Sequence, residues 1–113
     1  MLPKNRRVER QLFTDVLQKT RISSTDFFTV RYFLSKEEFE TKIAVVISKK
    51  VSGSAVKRNL IKRRIHAVLE VMKGDIKDSY ILFIFPKKST LSLPFSKFKE
   101  EMVLVFQKTP IVK

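Results

Sequence analysis

The chain has 113 residues, enough for one domain, and 43 % of them are hydrophobic, ten of them Phe, so a core can be buried. Against this stand 24 Lys and Arg and only 11 Asp and Glu, a net charge of +13 that calls for a polyanion, either nucleic acid or an anionic membrane face. With no cysteine, a disulfide scaffold, a cysteine zinc site and a thiol nucleophile are excluded, and with no apolar run of signal-peptide or bilayer-spanning length, a cytoplasmic protein without membrane insertion is expected.

In chain order, Val8–Lys19 sets Val8, Leu12, Phe13, Val16 and Leu17 at helical spacing and predicts an amphipathic helix. Ile22 to Thr25 follows as a polar break. Phe27–Leu34, rich in aromatic and β-branched residues, reads as a strand whose alternation separates Phe28, Val30 and Tyr32 from Phe27, Thr29, Arg31 and Phe33. Lys36–Lys42 reads as a charged hairpin connection, and Ile43–Ser48 as a short, buried central strand ending in Lys49 and Lys50. Ser52-Gly53-Ser54 is a turn and helix-start signal, with Ser54 as the cap of a long helix reaching Lys73, where Gly74 suits a left-handed stop. Tyr80–Phe85 is a second buried-type strand halted by Pro86, Lys87–Leu93 a basic loop, and Phe95–Gln107 a last helix offering Phe98, Met102, Leu104, Val105 and Phe106 to the core. The order α-β-β-α-β-α predicts one α+β domain over residues 1–113, a two-layer sandwich of helices on a sheet.

Chemistry concentrates in Lys57-Arg58-Asn59-Leu60-Ile61-Lys62-Arg63-Arg64-Ile65-His66. Ile61, Ile65, Val68, Leu69 and Met72 form one stripe that must face the sheet, and this burial sets the register of the rest. Arg58, Lys62 and His66 then stack at i, i+4, i+8, with Asn59 and Arg63 on the next ridge. Like charges at this spacing repel by roughly a few tenths of a kcal/mol per pair, and no acid appears on the helix before Glu70. A solvated charged face is the ordinary explanation of a charge run. Here an anion that completes the ladder fits better, and RNA phosphates do so, with Arg able to make bidentate contacts. His66, the sole histidine, cannot build a zinc site with another His and suits hydrogen bonding beside the ladder.

At these residues a family resemblance becomes specific. Val45-Val46-Ile47-Ser48-Lys49-Lys50, then Ala55-Val56, Arg58-Asn59 and Lys62-Arg63, resembles the signature of the bacterial ribonuclease P protein: a strand ending in Ser-Lys-Lys, a short loop, and Arg-Asn-Arg-x-Lys-Arg on a helix. Leu2-Pro3-Lys4, Arg6-Arg7 and Phe13 extend the match to the N-terminus. Leu60 departs from the triplet and His66 stands where the family commonly has Arg; Leu60 points away from the Arg58 and Lys62 ridge, which puts one RNA contact in doubt and leaves the surface as a whole.

The resemblance implies the sandwich of the second domain of ribosomal protein S5, with a left-handed β-α-β crossover. It implies a protein subunit that binds a catalytic RNA one to one and the 5′ leader of precursor tRNA, while the RNA, with magnesium, hydrolyses the phosphodiester. The dispersed Asp15, Asp26, Asp75 and Asp78 agree with a protein that has no catalytic residues and holds no metal of its own. Carried over by motif, the RNA-subunit face is Lys49, Lys50, Arg58, Asn59, Lys62, Arg63 and His66. The leader cleft takes Phe13 and Leu17 from the first helix and Phe27, Thr29 and Arg31 from the first strand, where aromatic side chains would stack on single-stranded bases. Plain core packing explains Phe13 and Leu17 equally well, and the strand face is chosen by its polar members. A ribosome-associated RNA binder is the rival reading; a membrane-surface helix is disfavoured because the apolar stripe is needed in the core.

Overall fold

The computed structural model describes residues 19–113. Strands β1 (Arg21–Ser24), β2 (Phe28–Leu34), β3 (Lys42–Val45) and β4 (Tyr80–Pro86) form one sheet in the order β1-β2-β4-β3. Helices α1 (Ala55–Met72) and α2 (Phe95–Gln107) pack on one face of it, giving the two-layer α+β sandwich. The helix expected over Val8–Lys19 lies outside the described residues except for its last residue, as do Phe13 and Leu17.

β4 is the centre of the sheet, antiparallel to β2 and parallel to β3. Its run Ile81-Leu82-Phe83-Ile84 is buried throughout, Leu82 and Ile84 against the helices and Ile81 and Phe83 among Phe33, Phe39, Ala44 and Phe85 on the other face. β3, expected to be central, is instead an edge strand that ends at Val45. The apolar run continues past it because Val45 and Ile47 pack against the core, while Val46 N–H still reaches the Ile84 carbonyl at 2.9 Å. The 36–42 segment is likewise no hairpin, since β4 lies between β2 and β3. It crosses the start of β4: Ser79 N–H donates to the Phe39 carbonyl at 2.7 Å, and Thr41 Oγ1 accepts from Tyr80 N–H at 3.1 Å. Ser79 takes a left-handed φ of 72° in this tie.

The polar segment read as a break is β1, an edge strand of four residues paired on one side only, which needs no hydrophobic alternation. Its Ser23 is buried and donates to the Val105 carbonyl of α2 at 3.3 Å. The β1–β2 turn is closed by Thr25, whose Oγ1 accepts from Phe27 and Phe28 N–H at 3.3 and 3.2 Å.

α1 buries Ile61, Ile65, Val68, Leu69 and Met72, the stripe its spacing dictates. Ser54 caps it, with Oγ accepting from Lys57 N–H at 3.3 Å. At its other end α1 tightens into a 3-10 turn, Lys73–Asp75, and Gly74 does not adopt a left-handed conformation. The turn is held instead by the C-terminal residues, Lys113 N–H donating to the Asp75 carbonyl at 2.8 Å. On α2, Phe98, Met102, Val105 and Phe106 are buried at i, i+4, i+7 and i+8, whereas Leu104, expected in the core, falls off that stripe and is 46 % exposed. Phe98 meets Phe28 edge to face, ring centroids 5.2 Å apart, at the centre of the sandwich. Lys87–Leu93 is mostly a 3-10 turn, Lys88–Ser92.

Candidate nucleic-acid interface

The basic segment begins in the loop joining β3 to α1. Val51 is buried in the core and anchors that loop, leaving Lys49 and Lys50 exposed on the turn before it. Ser54 N–H donates to Ser52 Oγ at 3.1 Å, and the Arg58 guanidinium reaches back to the Ser52 carbonyl at 2.7 Å. Arg58 is therefore half-buried on the core side of the helix and clasps the lysine-bearing loop to α1. The expected Arg58–Lys62–His66 ladder divides at this point.

Lys62 and His66 line one concave groove on the outer flank of α1 together with Asn59, Arg63 and Val56. On a helical projection these residues lie side by side, 100° of rotation per residue bringing the two expected ridges together. Asn59, Lys62 and Arg63 are exposed and His66 is half-buried against the helix. Among the described residues the ion pairs are Lys73–Glu70 and Lys97–Glu100, neither of which touches the run from Lys57 to Arg63. Glu70, the first acid of α1, is instead committed to Lys73 at 2.6 Å, whose hydrogen bond and charge hold its carboxyl below the usual carboxylate range. Arg64 belongs to the opposite flank: it donates to the Leu93 carbonyl at 3.0 Å and lies 5.9 Å from the Phe98 ring, bracing α1 against the entry to α2. Lys62 and Arg63 thus have no carboxylate partner among the described residues, and they lie next to a helix N-terminus whose own field has the same sign.

Thr29 and Arg31 sit elsewhere, on the sheet face turned away from both helices. By register they align with Ser24 and Ile22 of β1 and with Phe85 and Phe83 of β4. Ile81 and Phe83 are buried there by Phe33, Phe39, Ala44 and Phe85, and Thr29, Arg31, Phe33 and Phe85 remain half-buried. Phe27 does not share this face: it precedes β2 and packs against the principal core, so the alternation stops one residue short of it. Phe33 and Phe85 are the aromatic members that sequence reasoning left out of the site. The i, i+2 spacing of Phe83 and Phe85 marked the face, but only the β2–β4 register places Phe85 beside Thr29. The basic groove and this aromatic face occupy opposite layers of the sandwich and form two separate surfaces. Among the described residues no three His, Cys, Asp or Glu converge as a metal site would require, and no helix is long and apolar enough to cross a membrane.

Over residues 1–110 the chain matches the family model described as Ribonuclease P. It is 35 % identical over 100 residues to the ribonuclease P protein component of Mycoplasma genitalium, covering 88 % of this chain and 73 % of that one. It is 31 % identical over 110 residues to that of Bacillus cereus strain AH187, covering 96 % and 94 %. Among solved structures, Staphylococcus aureus RNase P protein superposes with a TM-score of 0.86 at 21 % identity, covering 98 % of this chain and all of that one. The Thermotoga maritima protein superposes at 0.79 and 18 % identity, covering 91 % and 96 %. At those identities the structural likeness is one of fold.

Proposed function

Since this chain belongs to the ribonuclease P protein family, we propose that it binds the RNA subunit of that ribonucleoprotein through the outer flank of α1 and the 5′ leader of precursor tRNA through the sheet face turned away from α1 and α2. The observation that carries the reading is the groove of Asn59, Lys62, Arg63 and His66, whose Lys62 and Arg63 have no acidic partner among the described residues, in a chain of net charge +13. Phosphates along a folded RNA would take the places of the missing acids, and counterions released from the RNA would drive binding. Lys49 and Lys50 extend the positive surface along the loop that Arg58 clasps.

On that face, Phe33 and Phe85 offer aromatic rings and Thr29 a hydroxyl to single-stranded nucleotides, with Arg31 adding positive charge beside them; stacking accepts any base, which suits a leader of variable sequence. Phe13 and Leu17 belong to the same proposal by resemblance, and Phe27 would stand at the margin. Magnesium enters as the RNA subunit's ion, where it would activate water for attack on the phosphodiester. The protein's part is to bind and orient substrate, one protein to one RNA, in the cytoplasm.

The test is cleavage of a precursor tRNA by ribonuclease P RNA at low magnesium, with and without the purified protein. Stimulation by at least tenfold is the expected result. No stimulation, with both components folded and the cognate RNA used, would overturn the reading.

A further inference from the structure

At the end of the sheet where β1 turns into β2, Lys87 Nζ lies 3.1 Å from Ser24 Oγ and also donates to the Thr25 carbonyl. Ser24 Oγ in turn lies 3.0 Å from Thr29 Oγ1, its register partner across the β1–β2 ladder. A lysine ammonium has donors and no acceptor, so Ser24 Oγ accepts from Lys87. The single Ser24 proton then has two candidate acceptors within the fold: Thr29 Oγ1 at 3.0 Å and the Thr25 carbonyl at 3.5 Å, which also accepts from Lys87. Either hydroxyl can donate across the 3.0 Å contact, and with the Ser24 proton placed on it, the shorter of its two contacts, Thr29 Oγ1 accepts. The Thr29 hydroxyl hydrogen is left to donate elsewhere, and Thr29 Oγ1 has no other hydrogen-bond partner among the described residues. It is half-buried beside the Phe85 ring, on the face read above as the leader surface.

We propose that Thr29 is a dedicated donor to a phosphate oxygen of the RNA leader, its proton held outward by the relay from Lys87 through Ser24, with the adjacent base on Phe85. Lys87 is thus a positioning residue: it polarises a hydroxyl chain and fixes the polarity of its end without touching RNA. A leader of variable sequence is gripped by its backbone in this way, since a phosphate presents only acceptors whatever base it carries. The inference rests on the leader reading of this sheet face.

The experiment uses the holoenzyme assembled from this protein and ribonuclease P RNA. It compares affinity for precursor tRNA with affinity for the same tRNA without a leader, so that the ratio isolates the leader. Thr29→Val, which keeps the β-branched shape, is expected to cut the ratio by about tenfold, the size of one hydrogen bond to a charged group; Thr29→Ser should retain it. Lys87→Met is expected to cut it by about threefold, to leave the salt dependence of binding unchanged, and to add nothing in the Thr29→Val background. An unchanged ratio in Thr29→Val would overturn the proposal, as would a Lys87→Met effect that persists in the double variant or removes about one unit of salt slope, the mark of a direct phosphate contact. A wild-type ratio near one would instead remove the leader reading itself, and the proposal with it. Equal melting temperatures of the free variants assign the losses to binding.

Discussion

On the side of the sheet that faces the helices, Phe28, Val30, Leu82 and Ile84 are wholly buried in the principal apolar cluster. On the other side Ile81 and Phe83 are buried as deeply, yet the residues flanking them, Thr29, Arg31, Phe33 and Phe85, are half open and mix aromatic rings with donors. The same strands supply both faces by alternation, so the difference lies in what each face was left to do. The first closes a core against α1 and α2, and its polar groups are spent on ties such as Ser23 to the Val105 carbonyl. The second keeps a small apolar floor and rims it with aromatic rings and polar side chains. The face that carries stability and the face proposed for binding thus differ in the company each buried residue keeps.

Substitutions on the two faces should separate stability from binding. The largest effect is expected for Phe28→Ala, which empties the centre of the sandwich beside Phe98 and should lower the free energy of unfolding by about 3–5 kcal/mol in urea titration. Phe85→Ala should weaken leader-dependent binding by about 1–3 kcal/mol, the worth of one stacked base, while the affinity for leaderless tRNA holds. A Phe85 variant that loses more stability than leader affinity would erase the distinction between the faces. Arg58→Ala removes a charged hydrogen bond to the Ser52 carbonyl and should cost about 1.5–3 kcal/mol of stability, discounted because the guanidinium is only half-buried, and weaken RNA binding less than Arg63→Ala does. Ser54→Ala should cost about 1 kcal/mol through the lost cap of α1, read as a lower melting temperature with RNA binding nearly intact.

What could be read from the chain divides along physical lines. The buried stripe of α1, its Ser54 cap and most of the α2 stripe were legible, because a helix writes its packing into a local 3.6-residue period. Leu104 misled because apolar character alone does not say which side of that period a residue occupies. β1 went unread since a polar edge strand leaves no alternation to see, and the placement of β4 between β2 and β3 depends on pairing between residues distant in sequence. The same holds at the site. Asn59, Lys62, Arg63 and His66 were found from spacing, but the clasp that takes Arg58 out of their row depends on the path of the 46–54 loop, and Phe85 joins Thr29 only through register.

The groove on α1 is most directly tested by the salt dependence of binding to ribonuclease P RNA, measured for the wild type and for Lys62→Ala and Arg63→Ala. Each variant is expected to bind more weakly and to flatten the slope of log affinity against log salt by about one, because each cation lost leaves one phosphate with its counterions. Slopes equal to the wild type in both variants would contradict the assignment of this flank as the RNA face.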